Sequence, residues 1–142
     1  MRTIGARKGP AYNADMAQKK ILVVDDNNSF VELCILILET TGFDVKGAFS
    51  GPQALAMLRE ELPDLMLLDL MMPGMSGIEV CQQVRAEHDG AVRIVMYTAD
   101  GREATHERSL AAGADGVLSK DVPIYDIPSR LAHYLYTTAP LG

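Results

Sequence analysis

Asp64-Leu-Met-Leu-Leu-Asp69, followed by Leu70-Met-Met-Pro-Gly-Met-Ser-Gly77, joins a short apolar run to a loop rich in turn formers, with a carboxylate at the junction. An unbroken apolar run of this length, bounded by Pro and Gly, reads as a strand buried on both faces, the kind found in parallel sheets. Three similar runs end in functional side chains. Lys20-Ile-Leu-Val-Val-Asp-Asp26 closes on Asp25 and Asp26, a third run closes on Thr98, and a fourth on Lys120. Parallel sheets place their chemistry at the carboxyl ends of strands, so these side chains belong to one site.

Between the apolar runs lie helical patterns of ten to fifteen residues, the rhythm of βαβ units. The pattern predicts strands near 20–26, 44–49, 64–69, 93–98 and 116–120, and helices near 28–41, 52–61, 77–87, 102–112 and 126–136. Ser50, Ser76 and Asp100 each precede a Gln or Glu by three residues, which predicts capping at three helix starts. Gly42 and Gly113 follow helical runs, where a left-handed residue commonly ends the helix. Right-handed crossovers on such a five-stranded sheet give either a singly or a doubly wound α/β layer, and the doubly wound order 2-1-3-4-5 places its switch point between strands one and three.

A chain of 142 residues fits one domain. Residues 1–18 lack periodicity and read as a flexible extension, 19–138 as the domain and 139–142 as a tail. The 48% apolar and 23% charged fractions suit a soluble globule, and no apolar stretch approaches the roughly 20 residues of a membrane span. A net charge of −6 without clustered Lys and Arg argues against direct nucleic-acid binding. Cys34 and Cys81 lack ligand or disulfide spacing, which points to reduced thiols and the cytoplasm, and His88, His106 and His133 share no metal-ligand spacing.

In the doubly wound order Asp25, Asp26 and Asp69 would converge at the switch point. Carboxylates so close repel one another, and a hard divalent cation relieves the repulsion by accepting their oxygens. Mg2+ uses one or two carboxylates, retained waters and a phosphate, and the backbone carbonyl of Met71 is a further candidate ligand. A carboxylate can accept a phosphoryl group when cations offset the charge on the transferring oxygens. Lys120 and Thr98 can bind two of those oxygens, while the small Ala99 leaves room for donor or water.

Taken singly, these residues mean little, since Asp at a strand end is commonly a cap or loop former and a lone Lys a solvated charge. Together, the Asp-Asp pair at 25–26, the Asp-x-x-Met-Pro-x-Met-x-Gly run at 69–77, Thr98-Ala99 and Lys120 resemble the receiver domain of two-component response regulators, from about residue 20 to 136. The resemblance implies a flavodoxin-like (βα)5 receiver fold, similar to that of chemotaxis regulators. It implies transfer of a phosphoryl group from a histidine kinase or phosphotransfer protein to Asp69. In that reading Asp25, Asp26 and Asp69 hold Mg2+, Thr98 is the switch hydroxyl, Lys120 is the phosphate partner, and helix four, strand five and helix five form the output face. The output protein is unidentified. With no DNA-binding or catalytic segment after residue 136, the chain is expected to dock to a partner, pass its phosphoryl group on, or belong to a longer protein.

Several positions depart from the family pattern. The aromatic residue that usually precedes the lysine and reports phosphorylation is Val117. Asp121 replaces the usual proline, so a trans peptide is expected there, non-proline cis bonds costing about 3–4 kcal/mol. Ser76 stands where an acidic residue is common before Gly77, and apolar Met71 lies two beyond the phosphoacceptor, which predicts an altered phosphoryl lifetime. The first helix, Phe30-Val-Glu-Leu-Cys-Ile-Leu-Ile-Leu38, is apolar on nearly every side. Phe30, Leu33, Cys34, Ile37 and Leu38 are expected in the core, and Val31, Ile35 and Leu36 outside. Those three form either a contact patch, for a partner or a second copy, or a surface buried by the extension or the last helix. A haloacid-dehalogenase-type phosphatase needs an Asp-x-Asp that Asp69-Leu-Met71 lacks, and a flavodoxin-like nucleotide binder needs a Gly- or hydroxyl-rich loop where Asp25-Asp-Asn-Asn-Ser29 stands.

Overall fold

Alternation along each strand divides the apolar residues between two cores. Leu22, Val24, Met66, Leu68, Ile94 and Met96 face one way, and Ile21, Val23, Leu65, Leu67, Val95 and Tyr97 face the other. A computed structural model describes residues 19–136, so the expected extension, the tail and residues 137–138 of the expected domain lie outside the described residues. The strands are β1 (Lys20–Val24), β2 (Asp44–Ala48), β3 (Leu65–Asp69), β4 (Arg93–Thr98) and β5 (Gly116–Ser119). All pair in parallel, in the order 2-1-3-4-5 that the sequence predicts. The helices are α1 (Asn28–Thr40), α2 (Gly51–Glu60), α3 (Gly77–His88), α4 (Glu103–Ala111) and α5 (Ile127–Tyr136), the last preceded by a 3-10 turn over Ile124–Asp126. No helix among the described residues is long and apolar enough to cross a membrane.

Helix starts follow the expected caps at two of three places. Ser50 accepts from the Gln53 N–H, and Ser76 and Glu79 form a reciprocal capping box. Asp100 does not cap α4. Its carboxylate accepts instead from the N–H and guanidinium of Arg102 and from the Thr105 hydroxyl, and the helix begins one residue after Arg102. Three good donors around a loop carboxylate outcompete a single helical N–H. Gly42 and Gly113 adopt the positive φ expected of helix stops.

The rotational setting of α1 differs from the expectation. Val31 is fully buried together with Cys34 and Leu38, Ile35 is half-buried, and Leu33 and Leu36 are exposed at 46% and 61%. Val31, Cys34, Ile35 and Leu38 form an i, i+3, i+4, i+7 stripe, but so do Phe30, Leu33, Cys34 and Ile37. The partner strand selects between them. Gly47 on β2 has no side chain, and a Cβ there would meet Val31 Cγ1 and lie 3.1 Å from Ile35 Cδ1. The helix therefore seats Val31 and Ile35 over this gap on the edge strand. Of the expected outer residues, only Leu36 is on the outside.

Candidate functional site

Register brings the chemistry together before any side chain is considered. Val24 on β1 pairs with Leu68 on β3, so Asp25 and Asp69 follow neighbouring residues of adjacent strands. Asp25 and Asp26 lie just beyond β1, Asp69 ends β3, Thr98 ends β4 and Lys120 follows β5. The close approach of β3 to α3 depends on Gly77, where a Cβ would collide with the Asp69 carbonyl and lie 2.8 Å from Leu70 Cα.

Asp25, Asp26 and Asp69 present oxygens within 4.8 Å of one another, the first and third buried and Asp26 exposed. It is the cluster of His, Cys, Asp and Glu with metal-ligand spacing among the described residues, and it is all oxygen, which suits a hard cation. Lys120 Nζ lies 3.0 Å from Asp69 Oδ1 and 3.8 Å from Asp25 Oδ2. Burial pushes the Asp25 carboxyl up to about 6, and the Asp69 charge adds to this. The Asn27 N–H, donating at 2.9 Å, and the Lys120 ammonium oppose it. A buried acid facing a second acid is the electrostatic state that a bound cation relieves, so these residues fit Mg2+.

Thr98 is buried, and its Oγ1 accepts from the Asp100 N–H at 3.0 Å, while its carbonyl accepts from the Lys120 N–H at 2.8 Å. Ala99 is exposed beside it. The Met71 N–H donates to Asp69 Oδ1 at 3.4 Å, and its side chain is 72% exposed. Val117 is half-buried against the α2–α3 core, and there is no cis peptide among the described residues. Cys34 and Cys81 are buried free thiols, pushed by burial up to about 12 and about 11. His88, His106 and His133 do not join the acidic cluster.

Nothing in the sequence pattern singles out Tyr97. It is 5% exposed, its ring stacks on Phe30 of α1 at 5.2 Å and 19°, and the Lys120 ammonium lies 5.3 Å from its ring centroid. In the strand pattern Tyr97 reads as one more core residue. Only the pairing of β4 with β3 and β5 reveals that its ring adjoins the site.

A five-stranded 2-1-3-4-5 sheet with an acidic cluster and a lysine at its carboxyl edge defines a class, and comparison with known proteins agrees. The response regulator receiver domain model matches residues 21–132, and the chain belongs to that family, the signal-receiving part of two-component systems. The chain is similar to the DNA-binding response regulator MtrA of Mycobacterium tuberculosis, with 42% identity over 82% of this chain and 50% of that one. It is 38% identical to the phosphate regulon transcriptional regulatory protein PhoB of Rhizobium meliloti, over 85% of this chain and 54% of that one. The chain thus spans about half the length of these curated relatives. Among solved structures it resembles the chemotaxis protein CheY4 of Vibrio cholerae, with a TM-score of 0.77 and 28% identity, covering 82% of this chain and 98% of that one.

Proposed function

We propose that the chain accepts a phosphoryl group on Asp69 from the phosphohistidine of a histidine kinase or phosphotransfer protein, in a Mg2+-dependent reaction, and thereby changes its affinity for an output partner. The observation that carries this reading is the Lys120 ammonium, 3.0 Å from a buried carboxylate within a three-acid cluster. An Asp69 oxygen forms the new bond to phosphorus as the phosphorus–nitrogen bond of the donor breaks, and the imidazole leaves with the electron pair and takes up a proton. Asp25, Asp26 and Asp69, with the Met71 carbonyl, are the ligands for Mg2+, which supplies positive charge against the phosphoryl oxygens when bound. Lys120 binds a second phosphoryl oxygen from its place beside Asp69. The Thr98 hydroxyl, on leaving the Asp100 N–H, binds a third, and exposed Ala99 leaves the donor a path.

Moving Thr98 away from Asp100 disturbs the loop that opens α4, so the α4–β5–α5 face, including Val117, is the output surface in this reading. The relatives described as DNA-binding extend well beyond the segment matched here, and the net charge of −6 favours indirect rather than direct contact with nucleic acid by this chain. The module signals rather than turns over a substrate, in the cytoplasm. The test is intact mass after incubation with acetyl phosphate, with and without Mg2+, for wild type and Asp69→Asn. One phosphoryl group gained only with Mg2+ and only by wild type supports the reading; no gain, or an equal gain by the variant, removes it.

A further inference from the structure

We propose that Tyr97, backed by Phe30, is a positioning residue for Lys120, holding its ammonium against the phosphoacceptor carboxylate; the inference rests on the phosphoryl-transfer reading above. A lysine head at the end of four methylenes gives up considerable rotamer freedom when fixed, and this one has a third of its side chain in solvent and two carboxylates within reach. Something must hold it on Asp69. The Tyr97 ring does so by geometry, since an ammonium 5.3 Å from a ring centroid lies within the roughly 6 Å range of a cation–π contact.

The ring is itself held in place. Its stack on Phe30 fixes it from the α1 side, and Val23, Val31 and Leu118 belong to the same buried core. Tyr97 is also the register partner of Asp69 across β3 and β4, and its carbonyl accepts from the Leu70 N–H at 3.0 Å. The carboxylate to be phosphorylated and the ring that steers the ammonium toward it are therefore carried on paired backbone positions. When an Asp69 oxygen bonds to phosphorus and a donor such as acetyl phosphate releases acetate with the electron pair, Lys120 already stands where the phosphoryl charge arrives.

The experiment uses the full chain as wild type, Tyr97→Phe, Tyr97→Leu and Phe30→Leu. The first readout is the chemical shift of the Lys120 ε-methylene protons, assigned by their loss in Lys120→Met, because a ring beneath them moves them upfield. The second is the rate of Asp69 phosphorylation by acetyl phosphate with Mg2+. An upfield shift in wild type and Tyr97→Phe, lost in Tyr97→Leu and reduced in Phe30→Leu, is expected. Tyr97→Leu slows phosphorylation by about 5- to 30-fold, the equivalent of a partly to fully desolvated cation–π contact, and Tyr97→Phe restores the rate to within about twofold. Unshifted Lys120 protons in wild type overturn the proposal without any variant having to fold. So does a folded Tyr97→Leu that phosphorylates at the wild-type rate. If wild type shows the shift but takes up no phosphoryl group, the phosphoryl-transfer reading fails while the placement of Lys120 by Tyr97 stands.

Discussion

Replacing Asp25 by Asn should stabilise the metal-free protein at neutral pH. Burial first, and the Asp69 charge after it, raise the Asp25 carboxyl from 3.8 to about 6 in the folded state. The stability linked to this group is therefore fully present below the unfolded value near 3.8 and is lost as pH rises through about 6. Above that range the ionised Asp25 costs up to about 3 kcal/mol. Asparagine keeps an Oδ1 to accept the Asn27 N–H and removes the charge, and it gives up the 3.8 Å approach of Lys120. The expected gain at about pH 7.5 is about 1–3 kcal/mol, worth roughly 3–5 °C in Tm per kcal/mol for a domain of this size. Urea unfolding followed by circular dichroism, with a chelator present, reads it. At about pH 4.5 the folded wild type has already protonated Asp25, and the gap should shrink to about 1 kcal/mol or less. A variant less stable than wild type at neutral pH, or a gap independent of pH, would refute the electrostatic argument.

Two further substitutions test the packing that builds the site. Gly77→Ala places a methyl group against the backbone of Asp69 and Leu70, where nothing can swing aside, and should lower the urea midpoint by the equivalent of about 2 kcal/mol or more. Val31→Ala should cost about 2 kcal/mol, and Leu36→Glu should change stability by less than about 0.5 kcal/mol, since only the first is buried; a Val31→Ala cost as small as that of Leu36→Glu would mean that α1 is turned as the sequence pattern implies.

The parts of the fold that were legible are those where one physical signal has no rival. Apolar runs ending in Asp25, Asp69 and Thr98, short and bounded by turn formers, read as doubly buried strands, and in the doubly wound order the acids fall at the switch point. Besides Tyr97, two features were not legible. The apolar character of α1 offered two equivalent stripes, and the choice rested on Gly47, which lies on a strand the helix meets only in three dimensions. Asp100 carried a capping signature, yet its carboxylate had better donors in Arg102 and Thr105, and these hold it well below the usual carboxylate range. In both cases local pattern lost to a tertiary contact.

The site reaches both faces of the sheet through consecutive residues of β4. Thr98 bonds to the Asp100 N–H, and Asp100 is tied to Thr105 in the first turn of α4, so movement of the hydroxyl bears on that helix. Tyr97 lies under Lys120 and stacks on Phe30 in the first turn of α1, so movement of the ammonium bears on the opposite face. With Val117 in the place of the usual aromatic, the ring in contact with the site's lysine is on the α1 side. The Phe30 stack thus joins the surroundings of Lys120 to the first turn of α1, the helix that carries exposed Leu33 and Leu36. Thr98 and Tyr97 thus connect the site to α4 and to α1 through two adjacent backbone positions that differ only in the face they serve.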